Sequence, residues 1–326
     1  MATVPNQQIS SGPRSQRPLI IGYHTRKNGR LSYAAIFQKA WTLVGEEIPN
    51  AIPCAAMFIS GPRNSHININ DQTAEELGVR QLIPTNPHPT GGEIIFHAAY
   101  IDLPWASVLS DQRSDAVFTR IDQMIAICAH ARADIVIHSG SRIFDPQSCR
   151  PVLARISSSL EKAAAASHSQ RMPRIFLETM SHDARFASTD ALNSIFDDRS
   201  VLWRDPGGTS SSSTDVGSNI GLCIDTAHIW AAGANIASRE ACATWFASLR
   251  SDIPFAMHLN DSKEVIGTHK DEHTMLGKGE IWSLEDGYVA ALDWARTRHV
   301  PVILERNDDP EPEARADLAL IARKLN

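Results

Sequence analysis

Eight short apolar runs recur along the chain, and this feature restricts the fold more than any other. Each run is rich in β-branched residues and ends in polar ones: 20–25, 54–60, 94–100, 134–140, 174–179, 221–228, 255–261 and 301–306. Runs that are apolar throughout predict strands covered on both faces, as in a parallel sheet. Stretches with helical periodicity lie between them: 32–48, 114–132, 149–167, 239–250, 284–298 and 311–325. Eight alternations of strand and helix predict an α/β fold, a single-domain (β/α)8 TIM barrel.

The spacing of the predicted strand ends supports the barrel. From His24 to Glu305, successive ends are 36, 37, 41, 40, 47, 33 and 47 residues apart, close to one strand-helix unit with its loops. The two longest intervals contain a Ser-rich insertion at about 204–219 and a charged, His-bearing segment at 263–280. We expect the first to be a mobile insertion. The second is expected to be functional.

Other features of the sequence indicate the cellular compartment in which the protein is expected. Residues 1–18 are polar and lack the apolar core of a secretory signal, so a disordered tail is expected before a barrel domain at 19–326. No window approaches the ~18 apolar residues of a membrane helix. The five cysteines are odd in number and scattered, which favours a reducing compartment. We expect an intracellular monomer without a membrane partner.

Ionisable side chains end each of the last six predicted strands. They are His97, His138, Glu178, Asp225, His258 and Glu305. The carboxyl ends of barrel strands form the face that carries active sites, so these groups converge. Ionisable groups packed together repel or desolvate one another unless a cation neutralises them. The pattern therefore predicts a metal site.

Three further residues extend this set. His228 follows Asp225 at the turn out of a strand, and Asp271 with His273 forms an i, i+2 pair on the charged segment. The total is five histidines and four carboxylates, with no cysteine at a comparable position. Imidazole and carboxylate together suit zinc, with manganese or iron as substitutes. Nine ligands exceed the needs of one tetrahedral ion and imply two or three.

Several motifs occur in the order found in a known family. They are HSGS (138–141), LET (177–179), GLCIDTAHIWAAG (221–233), MHLNDSK (257–263) with Asp-x-His at 271 and 273, and ILE (303–305). With them, the chain from about residue 19 onward resembles the endonuclease IV family of apurinic/apyrimidinic (AP) endonucleases. Thr179 departs from the asparagine usual there.

The resemblance implies three zinc ions per chain, with Mn²⁺ as a substitute. His97, His138 and Glu178 would hold the first ion. Glu178 would bridge to the second ion, which Asp225, His258 and Glu305 would complete. His228, Asp271 and His273 would hold the third ion.

The resemblance also implies the reaction. The substrate would be duplex DNA containing abasic sites, hydrolysed 5′ to the site to leave a 3′-hydroxyl and a 5′-deoxyribose phosphate. Activity as a 3′-phosphodiesterase or exonuclease would accompany it. Glu178 and Glu305 would be catalytic, with Glu305 orienting the attacking water. A net charge of −6 disfavours phosphate binding, and three divalent ions would offset it.

Other residues would serve DNA recognition. By resemblance, Arg63, Tyr100 and Ile101 would fill the gap left by the missing base. The same rim carries four candidate phosphate contacts: Arg142, Lys263, Lys270 and Lys278. His24 matches a family histidine and is expected either to support the ligands from behind or to serve the fold.

Two other functions compete with this one. A sugar isomerase or epimerase shares the barrel and a Glu/Asp/His/Glu metal site, but it would need one or two metals and would leave the Asp271–His273 pair without a role. A DNA-damage binding protein with an inactive site is the other alternative. A count of the bound metals separates the first alternative from the nuclease.

Overall fold

A computed structural model describes residues 17–26, 31–58, 92–98, 111–138, 145–166, 172–197, 219–306 and 310–325. Eight strands form a closed parallel barrel: β1 Ile20–Thr25, β2 Ile52–Phe58, β3 Glu93–His97, β4 Asp134–Ile137, β5 Ile175–Glu178, β6 Ile220–Asp225, β7 Phe255–His258 and β8 Val302–Leu304. Each strand pairs with its neighbours in sequence, and β8 pairs with β1. The predicted TIM barrel is confirmed.

Within the described ranges, helices lie between most successive strands and after β8. They are α1 Tyr33–Glu47, α2 Asp111–Ala131, α3 Arg150–Ala166, α4 Thr189–Ser194, α5 Thr226–Ala232, α6 Arg239–Ala247, α7 Tyr288–Arg298 and α8 Pro310–Leu325. Serine side chains cap three of them: Ser32 accepts from the Ala35 N–H of α1, Ser188 from the Ala191 N–H of α4 and Ser238 from the Ala241 N–H of α6.

The interior of the barrel is a separate core inside the ring of helices. Its buried side chains come from all eight strands: Ile20, Cys54, Ala56, Ile95, Val136, Phe176, Cys223, Ala256 and Ile303. Mixed large and small residues fill the space, so the barrel is a packed core and not a channel. Gly22 lets β1 approach β2, because a Cβ there would clash with the Cys54 carbonyl oxygen.

A cluster of charged residues lies at the amino-terminal ends of β3, β4 and β5. The Arg174 guanidinium lies 2.6 Å from Asp134 Oδ2 and 3.3 Å from Glu93 Oε2. The Arg174 backbone N–H also donates to Asp134, at 2.8 Å. These contacts tie β3, β4 and β5 together at the face opposite the predicted metal site. Their role is therefore in stability and not in chemistry.

Two details differ from the sequence expectation. The apolar run 221–228 is not one strand: β6 ends at Asp225, whose side chain accepts from the His228 N–H and so starts α5. Beyond β7, a ribbon that was not expected pairs Asp261–Ser262 with His273–Thr274 in antiparallel fashion. We call residues 263–281 the ribbon loop. This segment begins after the first ribbon strand, passes through the second and ends beside the ribbon.

Other expectations fall on residues outside the described ranges. Of the predicted tail, only Arg17 and Pro18 are within the described ranges. Of the predicted Ser-rich insertion, only Asn219 is. The tail, the insertion and the domain boundary remain predictions. None of the helices in the described ranges has both the length and the apolar character that crossing a membrane requires.

Candidate metal centre

The strand ends place the predicted ligands on one rim of the barrel. His97, Glu178, Asp225 and His258 are the last residues of β3, β5, β6 and β7. His138 follows β4 directly, and Glu305 follows β8. All strands run in the same direction, so their carboxyl ends meet at one face.

Glu178 lies at the centre of the group. Its Oε1 lies 2.8 Å from His258 Nδ1, and its Oε2 lies 3.0 Å from His97 Nε2. The two carboxylate oxygens therefore face histidines on different strands. Burial favours the neutral acid, but His258 and His97 hold the pKa of the Glu178 carboxyl well below its usual range. Glu178 is an ionised carboxylate that joins two parts of the centre.

A four-residue ligand group surrounds Glu178. Ligand atoms of Glu178, Asp225, His258 and Glu305 all lie within 4.8 Å of one another, and all four residues are buried. His258 Nδ1 is 3.7 Å from Asp225 Oδ2 and 3.4 Å from Glu305 Oε2. These are the residues that the resemblance implies for the second ion.

A second group adjoins the first through Asp225. Ligand atoms of Asp225, His228 and His273 also lie within 4.8 Å of one another. Asp271 Oδ1 bridges the two histidines, at 3.2 Å from His228 Nε2 and 2.9 Å from His273 Nε2. The set implied for the third ion is thus brought together, with Asp225 also in reach.

The set implied for the first ion is less compact. His97 and Glu178 are in contact, whereas the rings of His97 and His138 are 6.4 Å apart between centroids. The ring of His24 lies closer to His97 than that of His138 does, with 5.4 Å between the centroids. A ring nitrogen of His24 also lies within 4.8 Å of those of His97 and His258. Burial lowers the pKa of His138 to about 4 and that of His24 to about 3, so both rings are neutral at pH 7. Neutral imidazole is the form that binds metals.

The donor atoms fit a divalent metal. His97 and His228 donate from Nδ1 to the carbonyl oxygens of Ala98 and Thr179, each at 2.7 Å, which turns the Nε2 lone pairs inward. The buried Nε2 atoms of His228 and His273 face Asp271 without an aligned hydrogen bond. A cluster of buried carboxylates and inward-facing imidazoles is what a divalent cation would stabilise.

A buried network behind the ligands was not predicted from the sequence. Asn260 donates to Asp225 Oδ2 at 2.8 Å, and its own oxygen accepts from the Glu305 N–H and from Arg306 Nη1. Arg306 is itself paired with Asp317 of α8. Because Arg306 and the Glu305 N–H face the amide oxygen, the amide NH2 must face Asp225. Asn260 therefore orients two ligands at once.

Thr179 also has a defined place. Its hydroxyl accepts from the Asp225 N–H at 3.0 Å, and its carbonyl oxygen accepts from His228. Thr179 therefore supports both Asp225 and His228.

Cys223 lies beside the candidate ligands, although the sequence analysis did not single it out. Its thiol groups with Glu178 and His258 within 4.8 Å. Burial raises its pKa to about 12, so the thiol is protonated at neutral pH and lies beneath the centre as a packed side chain. The signal was present, because residues two apart on a strand share a face and Cys223 is two before Asp225.

The centre opens to solvent on the side of the ribbon loop. The Asp271 side chain is 47% exposed, whereas that of Glu178 is 1% exposed. Of the predicted DNA contacts, Lys263, Lys270 and Lys278 lie on this loop and are exposed. Arg63, Tyr100, Ile101 and Arg142 lie outside the described residues.

The fold and the cluster together define the class: an α/β barrel with a histidine and carboxylate centre at the carboxyl ends of its strands. Comparison of the sequence with known families then gives the particular family. Residues 87–324 match the family described as "Xylose isomerase-like TIM barrel", and the chain belongs to it.

Individual relatives are consistent with this assignment. The "Probable AP endonuclease" of African swine fever virus is 29% identical over 279 residues, which cover 81% of this chain and 82% of the viral protein. Endonuclease IV from Thermus thermophilus has a similar structure, with a TM-score of 0.65 at 19% identity over 94% of this chain and 98% of that chain. A D-tagatose 3-epimerase-like protein follows with a TM-score of 0.54 at 16% identity, covering 93% and 95%. The resemblance found in the sequence is confirmed.

Proposed function

We propose that the protein is a zinc-dependent AP endonuclease of base excision repair. It would hydrolyse the phosphodiester 5′ to an abasic site in duplex DNA and leave a 3′-hydroxyl and a 5′-deoxyribose phosphate. The observation that carries this proposal is the pair of adjoining ligand groups that share Asp225. Such adjacent metal sites can stabilise both the attacking and the leaving oxygen of a phosphoryl substitution. The similarity to the viral protein supports the same conclusion.

We propose the following ligands for each ion. The first ion would be held by His97, His138 and Glu178. The second would be held by Glu178, Asp225, His258 and Glu305, and the third by His228, Asp271 and His273. When bound, three zinc ions would supply positive charge that activates water and neutralises the phosphate. This charge would also offset the net charge of −6.

Glu305 is proposed to orient the attacking water. Burial disfavours its charge, but the hydrogen bond and charge of His258 hold its pKa well below the usual range. An ionised carboxylate accepts hydrogen bonds and does not donate a proton, so Glu305 can align a water by accepting from it. Asn260 and the barrel strand keep this carboxylate in place through the Glu305 N–H.

DNA would approach from the side of the ribbon loop. Lys263 and Lys270 lie 3.7 and 3.2 Å from Glu272 and Glu264 in exposed ion pairs. Pairs of this kind contribute little, so both lysines remain able to contact phosphates. Lys278 and Arg142 would add further contacts, while Arg63, Tyr100 and Ile101 would occupy the space of the missing base.

A sugar isomerase or epimerase is the second candidate. The group of Glu178, Asp225, His258 and Glu305 fits such an enzyme, and an epimerase-like protein shares the fold. That function gives no role to Asp271, which bridges His228 and His273.

Metal analysis beside two substrate assays separates the candidates. The nuclease should contain about three zinc ions per chain and should cut a duplex with one abasic analogue but not the undamaged duplex. One or two ions, with turnover of free ketoses and no DNA cleavage, would establish the isomerase instead. Metal binding with neither activity would favour a DNA-damage binding protein.

A further inference from the structure

Asp261 is a buried carboxylate whose hydrogen-bond donors, among the described residues, are all backbone N–H groups. Oδ1 accepts from Ser262 and Ile281 at 2.9 and 3.0 Å. Oδ2 accepts from Gly277 and Gly279 at 2.9 and 3.1 Å. Three of these four donors belong to the far end of the ribbon loop. One side chain therefore joins the beginning of the loop to its end.

Gly279 shows how closely the chain approaches this carboxylate. A Cβ at Gly279 would clash with the Ser262 carbonyl oxygen and with Asp261 Oδ1. The next residue, Glu280, donates its backbone N–H to the Ser262 carbonyl. The contact leaves no room for any residue larger than glycine.

The same segment carries two ligands of the candidate centre. In the ribbon, Asp261 pairs with Thr274 and Ser262 with His273. Lys263 donates its N–H to the Glu272 carbonyl oxygen at 2.9 Å, which continues the pairing toward Asp271. The positions of Asp271 and His273 thus depend on a loop whose two ends meet at Asp261.

We propose that Asp261 is a positioning residue that closes the ribbon loop and thereby places Asp271 and His273 for their metal ion. This inference rests on the proposed metal set. Asp261 itself contacts no ligand atom, and its effect passes through the backbone of the loop. Changes to hydrogen-bonded groups behind metal ligands lower metal affinity by about 10- to 100-fold. We expect a loss of that size at the third ion alone.

Asp261→Asn tests the proposal with almost no change of shape. Whichever way the amide turns, its NH2 faces two backbone N–H groups, so two of the four hydrogen bonds are lost. Glu280→Gln is the matched control, because it changes a carboxylate to an amide at an exposed position of the same loop. Gly279→Ala perturbs the contact from the opposite side and serves as a second variant.

Hydrogen exchange and zinc content are measured on each variant. In Asp261→Asn and Gly279→Ala, the amides at 277–281 should exchange faster, and zinc should fall from about three ions to about two. Excess zinc should restore kcat, with little change in KM. Glu280→Gln should match the wild type in each respect.

Two outcomes would overturn the proposal. The first is unchanged exchange at 277–281 in the metal-free Asp261→Asn protein, whatever amount of zinc the variant binds when it is loaded. The second is loss of all ions together with a lower unfolding temperature, which would indicate general structural damage. A wild-type protein with fewer than three ions would contradict the proposed function, while the exchange result would still decide the role of Asp261 in the loop.

Discussion

Replacing Glu178 with glutamine should nearly abolish catalysis while leaving the barrel folded. The carboxylate presents one oxygen to His258 at 2.8 Å and the other to His97 at 3.0 Å. Glutamine has a single oxygen, so one of these two contacts must face an NH2 group. The variant also removes the negative charge that would join two metal ions.

The expected magnitude follows from these contacts. A hydrogen bond to a charged group contributes about 1.5–3 kcal/mol. Loss of one preorganised electrostatic contact in an active site lowers kcat by about 10²- to 10³-fold, or about 2.7–4 kcal/mol. We therefore expect Glu178→Gln to retain less than about a hundredth of the wild-type kcat.

Steady-state incision of an abasic duplex measures this effect on kcat, with circular dichroism as the check on folding. Glu93→Gln is the matched control, since Glu93 lies on β3 at the opposite end of the barrel, beside Arg174. It should retain wild-type kcat. A folded Glu178→Gln protein with more than about a hundredth of the wild-type kcat would show that Glu178 is not the bridge.

Three further changes test the account. Asp271→Ala or His273→Ala should lower zinc from about three ions to two and kcat by about 10²-fold or more; retention of three ions would make the loop a surface feature. Asn260→Leu should weaken zinc binding about 10- to 100-fold, because Asp225 and Glu305 lose their support; titration with a zinc indicator would detect it, and unchanged affinity would contradict it. Gly22→Ala should destabilise the fold by about 1–3 kcal/mol through its clash with Cys54, as measured by urea unfolding; wild-type stability would mean that β1 can shift.

The barrel and the residues at its strand ends could be predicted from the sequence. Apolar runs of regular spacing define buried parallel strands, and the residue type that ends each run is read directly. His97, Glu178, Asp225 and His258 end their strands as expected. The apolar run 221–228 continues beyond the end of β6, because the side chain of Asp225 caps a helix whose apolar residues extend the apolar pattern of the strand.

The support of the ligands could not be predicted in the same way. Asn260 and Asp225 are 35 residues apart, and Asp261 and Ile281 are 20 apart. Contacts between polar residues so far apart in the sequence produce no periodic pattern of residue types, since they depend on the closure of the barrel and the path of the ribbon loop. The barrel determines which strand ends are neighbours. The hydrogen bonds behind the candidate ligands form only when the chain has folded, and no local pattern in the sequence marks them.

The most direct test of the central claim is the analysis of the DNA ends produced from a duplex with one natural abasic site. A zinc-dependent AP endonuclease should make a single nick 5′ to that site, with a 3′-hydroxyl that a DNA polymerase extends. The nick should disappear after chelation and return when zinc is added. A 3′ unsaturated aldehyde, which marks a lyase, or an uncut duplex in the presence of a zinc-loaded protein would contradict it.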